Sequence, residues 1–331
     1  MMTIDVPPGM VMAPASRATR GPVSVRHPEG SAVPLEVRPI NGPGEIDLFN
    51  SLPYQLNPEI AGDLEAGRRR PQWLWIALRG GTVVARAGWW SRPGDALPAL
   101  MDIFDVTDID AGRHLLRTAM AAVPTGQYNR YLPPDWRETA RAAAEVRESL
   151  LAETGGRLFV ERLRLEWRPG TPIRDPGDRL RFRPPHGADE LIGLMTAVLD
   201  GTLDAFSRDD LRRMTAREAA EQQYAEELAR YGSPRDWWRV AVRADDGEPV
   251  GFVIPAHNGY HPIIAYLGVA PVHRGNGYID EILAAGVRIL ADRDVPRIRA
   301  ATDLGNTPMA AAFARAGFRA FEHEIAFTWP D

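Results

Sequence analysis

Residues 269–283 read Val-Ala-Pro-Val-His-Arg-Gly-Asn-Gly-Tyr-Ile-Asp-Glu-Ile-Leu. An apolar run, Ile263–Val269, precedes this stretch and predicts a buried strand. A helix follows over Tyr278–Ala291, because Ile279, Ile282, Leu283, Val287 and Leu290 fall on one face. Between the two lies a short loop with two glycines. Such a loop can aim several backbone N–H groups at one point, and the helix N-terminus adds about half a positive charge there. Gly275 and Gly277 permit positive φ and close backbone approach, and Arg274 supplies a permanent cation. His273–Tyr278 therefore reads as a cradle for a pyrophosphate.

Outward from the cradle, the same half of the chain alternates strands and helices. Leu180–Arg183 reads as a strand, and Ala188–Leu199 and Asp209–Tyr231 as helices. Trp238–Arg243 and Pro249–Pro255 form a hairpin around Asp245-Asp246-Gly247. After the cradle helix come a strand over Arg297–Thr302, a helix over Pro308–Ala316, and one or two strands over Ala320–Trp329. Thr307 is the expected cap of that last helix, with Pro308 at its first position and Gly317 in left-handed backbone beyond its end. The alternation indicates an α/β (α+β) fold.

The pattern occurs twice. Leu35-Glu36-Val37-Arg38-Pro39 matches Leu180-Arg181-Phe182-Arg183-Pro184 at an offset of 180−35 = 145. Ile76–Arg79 matches Val240–Arg243 (240−76 = 164), and Arg157–Trp167 matches Arg319–Trp329 (319−157 = 162). Agreement in order and spacing indicates one duplicated fold. The expected layout is a flexible arm over 1–30, a first domain over 31–169, a Pro/Gly linker over 170–178 and a second domain over 179–331. Each domain is expected to be a mixed, mostly antiparallel sheet flanked by helices. Opposite Val269 the first half reads Val106-Thr107-Asp108-Ile109-Asp110-Ala111-Gly112. It has no Arg-Gly-x-Gly, and its aspartates would repel a pyrophosphate. The first half thus reads as a degenerate copy.

Composition narrows the function. With no cysteine among 331 residues, disulfides, thiolate metal sites and a cysteine nucleophile are excluded. A net charge of −5 argues against a nucleic-acid partner. The one basic run, Arg68-Arg69-Arg70 before Pro71, is expected to be a solvated loop. The sequence shows no stretch suited to a membrane span or signal peptide, so a cytoplasmic protein is expected.

The segment Arg274-Gly275-Asn276-Gly277-Tyr278-Ile279 resembles the Q/R-x-x-G-x-G/A signature of the GNAT superfamily of acyl-CoA N-acyltransferases, with Ile279 departing at the last position. Asn306, followed by Thr-Pro-Met-Ala-Ala-Ala-Phe-Ala-Arg-Ala-Gly-Phe, is similar to the superfamily's later motif through Asn306, Phe313, Gly317 and Phe318, although Met309 stands where alanine is usual. The resemblance implies two tandem domains of this kind, the second one competent. It implies acetyl-CoA as co-substrate, held by Leu267, Gly268, Val269, His273, Arg274, Gly275, Asn276, Gly277, Tyr278, Asn306 and Phe313 in a split between the fourth and fifth strands. It implies direct attack by a primary amine of a small molecule, no metal, and a carbonyl polarised by a backbone N–H of the fourth strand. The family's usual tyrosine acid falls at Phe313, which cannot donate a proton, so Tyr266 is the candidate acid and Tyr278 a cover for the cofactor. Asp303 is the first candidate base, with His257 and His261 as others. The Asp200–Asp210 loop, rich in aspartate, is expected to face a cationic acceptor. A non-catalytic acyl-CoA sensor and a protein lysine acetyltransferase are the alternatives, and a homodimer stays open.

Overall fold

Alternating apolar and polar residues set twelve strands into one sheet in the computed structural model, which describes residues 33–175 and 177–329. The expected arm over 1–30 lies outside the described residues. The first half runs β1 (Leu35–Pro39), α1 (Ile46–Phe49), α2 (Ile60–Glu65), β2 (Leu74–Arg79), β3 (Thr82–Trp90), β4 (Leu100–Val106), α3 (Ile109–Ala122), β5 (Gln127–Leu132), α4 (Trp136–Thr139), α5 (Arg141–Ala152) and β6 (Arg157–Trp167). The second runs β7 (Leu180–Arg183), α6 (Ala188–Leu199), α7 (Ala205–Asp210), α8 (Ala216–Glu226), β8 (Arg239–Arg243), β9 (Pro249–His257), β10 (Pro262–Val269), α9 (Tyr278–Ala291), β11 (Ile298–Asp303), α10 (Thr307–Arg315) and β12 (Arg319–Thr328).

The strand order is β1-β2-β3-β4-β5-β12-β6-β11-β10-β9-β8-β7. It reads alike from both ends: β4 with β5 and β10 with β11 are parallel, and the other neighbours antiparallel. The two expected sheets are thus joined edge to edge, and each half's last strand lodges against the other half. Burial explains the exchange. Ile325 and Phe327 of β12 sit in the core under α3 and α5 of the first half. Leu165 and Trp167 of β6 sit in the core of the second, with Ile298, Ala300 and Phe313.

Local devices repeat as well. Arg38 donates to Glu45 (2.7 Å) and Arg183 to Glu190 (2.9 Å), at the same offset of 145 as the strands. Each glutamate also accepts a backbone N–H from the turn before it, Asn41 (2.8 Å) or His186 (2.7 Å). Charge-assisted bonds hold both carboxyls down at about 2. Docking between halves is long-range. The Tyr260 hydroxyl donates to Asp63 (2.6 Å) and accepts from the Trp90 indole (3.0 Å).

Three expectations need correction. The Arg68–Arg70 run is not a solvated loop: Arg69 is 2% exposed and donates to both oxygens of buried Asp102 (2.7 and 2.6 Å) and to Asp63 (3.1 Å). The helix read over Asp209–Tyr231 is broken, because Asp204 caps α7 and Thr215 starts α8 anew through a capping box with Glu218. The cap of α10 is Asn306, whose side chain accepts from the Met309 N–H, rather than Thr307. Gly317 is left-handed as expected, at φ 84°. The N–H groups of Gly317 and Phe318 return to Ala314 and Phe313 (both 3.0 Å), which closes the helix end.

Candidate active site

The cradle forms where the sequence places it. Gly275 (φ 83°) and Gly277 (φ 74°) are both left-handed. A Cβ at either would meet no atom within 4 Å, so the backbone borders open space. The Asn276 side chain donates to the His273 carbonyl (3.1 Å) and tightens the turn. Tyr278 lies under the Arg179 guanidinium, 4.9 Å from ring centre. Arg274 behaves differently from expectation. It donates to the carbonyls of Val269 (3.2 Å), Asp200 (2.7 Å) and Val198 (2.8 Å). Its cation buckles the cradle to the C-terminal end of α6, where the helix dipole is negative.

The expected split is present. Among the described residues β10 and β11 pair only at Ile263 opposite Arg299, and the strands then diverge. On its other edge β10 is paired with β9 through Val269, with a bulge at Ala265. The strand was expected to be buried, yet most of it is half-buried, because one edge faces a cavity of about 880 Å3. Of the expected binding residues, Leu267, Gly268, Val269, His273, Arg274, Gly275, Gly277, Tyr278, Asn306 and Phe313 line this cavity, while Asn276 braces it from behind. A backbone cradle, an unpaired strand edge and a long cavity fit an acyl-CoA's pyrophosphate, pantetheine arm and thioester.

Residues 194–318 match the acetyltransferase (GNAT) family. Residues 194–318 are a GNAT acetyltransferase domain. No curated protein matches the chain in sequence. Among solved structures it is similar to a GCN5-related N-acetyltransferase from Sphaerobacter thermophilus, at 16% identity and TM-score 0.54, covering 88% of this chain and 94% of that one. It is also similar to the GCN5-related glucosamine N-acetyltransferase region of a fungal multi-domain GH3 β-N-acetylglucosaminidase, at 14% identity and TM-score 0.54, covering 92% of this chain and 39% of that one. A tandem GNAT protein from the clavulanic acid biosynthesis pathway aligns at 16% identity and TM-score 0.48, over 89% and 98%. The family's chemistry is acyl transfer from an acyl-CoA.

Within the GNAT domain the candidate catalytic groups separate. Tyr266 lines the cavity, edge-on to Phe252 at 5.0 Å, and burial raises its pKa above the ordinary tyrosine value. Phe313 lines the cavity and packs on Phe318 at 5.0 Å. Asp303 is not on the cavity wall. It is buried, with one oxygen accepting from Arg162 (3.0 Å) and the other from the Ala205 N–H (2.6 Å). Desolvation and Asp204 raise its pKa. Strand alternation turns it toward α7, so it anchors the start of that helix. His257 lies outside the wall and accepts from the Gly259 N–H (3.1 Å). His261 lines the wall, and burial with Arg299, Arg297 and Arg164 pushes its pKa down to about 4.

Of the aspartates in the 200–210 loop only Asp204 reaches the wall. Asp209 and Asp210 pair with Arg213 (2.9 and 3.0 Å). The first half supplies wall residues that the sequence reading missed: Tyr131, Arg162 and Arg164. Alternating charges in Arg157–Trp167 were the available signal, but not which sheet that strand joins. Among the described residues no cluster of three or more His, Asp or Glu is placed to hold a metal, and no helix is long and apolar enough to cross a membrane.

The first half carries the same split without the cradle. β4 and β5 pair only at Met101 opposite Tyr128 among the described residues, yet side chains fill the gap beyond. Arg130 reaches Asp105 (2.9 Å) with its guanidinium 3.6 Å above the Tyr54 ring. Arg147 donates to the Phe104 carbonyl (3.0 Å), taking the strand edge that lies open on β10. Asp108 caps α3 by accepting from the Ala111 N–H (3.0 Å).

Proposed function

We propose that the chain moves an acetyl group from acetyl-CoA to a primary amine of a small molecule by direct attack. The observation that supports this most is one continuous cavity. It runs from the glycine cradle along the unpaired edge of β10 to a charged end walled by both halves. Acetyl-CoA supplies the activated acyl group. The cradle N–H groups hold its pyrophosphate, and a backbone N–H within Leu267–Val269 polarises the carbonyl.

His261 is the proposed base in place of Asp303. It lines the wall, and its low pKa leaves the imidazole neutral and able to accept a proton at pH 7. Asp303 acts as a positioning residue through Arg162 and α7. Tyr266 holds its proton tightly, so its role is a hydrogen bond to a thiolate that leaves unprotonated. Asp204, Glu227 and Glu324 share the wall with Arg164 and Arg299, an arrangement that suits an acceptor carrying both an ammonium and an anionic group.

Coenzyme A release with a panel of small amines, against buffer alone, tests the reading. Amine-dependent release is expected, fastest with amines that also carry a carboxylate or phosphate. Tight acyl-CoA binding with no amine-dependent release would establish the second reading, a non-catalytic acyl-CoA sensor, which Phe313 at the acid position favours.

A further inference from the structure

A second cavity of about 330 Å3 lies in the first half, between α4–α5 and the strands β5, β12 and β6. No residue of β4 or α3 lines it, and Arg130 and Arg147, which close the split between β4 and β5, stand on its wall. The fold does not require this space. By the 162-residue repeat, Ile325 and Phe327 on its wall correspond to Leu163 and Leu165. Leu165 belongs to the core cluster of the second half that also holds Phe313 and Phe318, and Leu163 packs against that cluster.

The inner end is polar and only partly paired. Tyr128 is 1% exposed and Arg130 7% exposed, and both line the cavity. The Tyr128 hydroxyl and the Arg130 Nε and Nη1 are buried without a hydrogen-bond partner among the described residues. The Trp136 indole N–H, on the same wall, is a fourth such donor. Buried donors normally find acceptors, because each orphan forfeits its hydration. Charge points the same way. Arg86 (2.9 Å), Arg130 (2.9 Å) and Arg147 (3.6 Å) converge on one carboxylate, Asp105, which leaves an excess of positive charge. At the mouth Glu145 is paired with Arg141 (2.8 Å) and Glu161 with Arg137 (2.5 Å), and only exposed Glu148 is left over. The remaining wall is apolar: Leu132, Ala144, Leu158, Ile325 and Phe327.

We propose that this cavity is a binding site for a small organic carboxylate with an apolar body. A free N–H of Arg130 and the Tyr128 hydroxyl receive the carboxylate, and the apolar wall receives a ring or branched chain. The site is independent of the acyl-CoA cavity and of the acyl-transfer reading.

Titration calorimetry of the full chain with phenylacetate tests this. Saturable binding at one site per chain is expected. Tyr128→Phe should weaken it about tenfold or more, the loss of one hydrogen bond to a charged group. Its Tm should stay level or rise, because the hydroxyl it removes has no partner. Ala144→Phe, which fills the cavity from α5, should abolish binding, and Gly277→Val in the distant cradle should leave it intact. No saturation up to about 10 mM, on the scale of very weak binding, would overturn the proposal. So would affinity unchanged in both Tyr128→Phe and Ala144→Phe, or loss of binding in Gly277→Val. Equal affinity for inorganic phosphate would overturn the choice of a carboxylate with an apolar body.

Discussion

At the scale of single residues, the catalytic reading rests on what lines the cavity. Phe313 stands where the family's usual acid would be, buried yet bordering the cavity. Phe313→Tyr adds one hydroxyl there. Turnover is expected to stay level or rise, with Tm unchanged if the hydroxyl reaches the cavity. A fall in both would place it in the core against Phe318, where an unpaired hydroxyl costs about 1–3 kcal/mol. His261 is the proposed base. Its pKa lies below the ordinary histidine value, at about 4, so the imidazole is deprotonated at all higher pH. The acid limb of kcat/KM should therefore fall near pH 4, and His261→Gln should lower kcat by about 10²-fold or more. A limb at the ordinary histidine position of about 6.5, or an unchanged kcat in the variant, would remove His261 from that role.

Elements carry the evidence for duplication. Glu45 and Glu190 each brace the turn after the first strand of their half, with carboxyls at about 2 against an ordinary 4.5. A lowered carboxyl stabilises the fold above its unfolded pKa, and that contribution is lost as pH falls through the folded value. Stability of the wild type should thus decline between about pH 4.5 and 2. Urea midpoints of Glu45→Gln/Glu190→Gln should show a flatter curve over that range; an unchanged slope would mean neither pair is formed in solution. The sequence reading missed these braces but found the strands beside them, because strand and turn signals are local. The strand LEVRP and its partner LRFRP, the cradle glycines and Gly317 all depend on residues a few positions apart. Capping blurred the rest: Thr215 restarting a helix after Asp210, and Asn306 rather than Thr307 capping α10, are decided by backbone geometry. The edge exposure of β10 was not legible either, because an apolar run reads the same against a core or against a ligand.

Across the described residues the duplication becomes one sheet with exchanged last strands, and those from Leu35 onward form one compact unit. Contacts across large sequence distances build this, and periodicity cannot report them. Arg69, read as a solvated loop, is pinned by Asp102, 33 residues on. Arg162 and Arg164 reach the cavity beside β10 only because β6 crosses to the second half. The same duplication yields two splits with opposite fates. On β10 the edge is open behind a cradle of left-handed glycines. Beside β4 it is closed by Arg130 and Arg147, with Asp105 holding both. One acyl-CoA per chain, in the second half, follows from that asymmetry. Titration calorimetry of the full chain with acetyl-CoA measures it directly. The account predicts a single site, abolished by Gly277→Val, whose β-branched side chain resists positive φ and blocks the cradle. Two sites per chain, or one site that survives Gly277→Val, would contradict it.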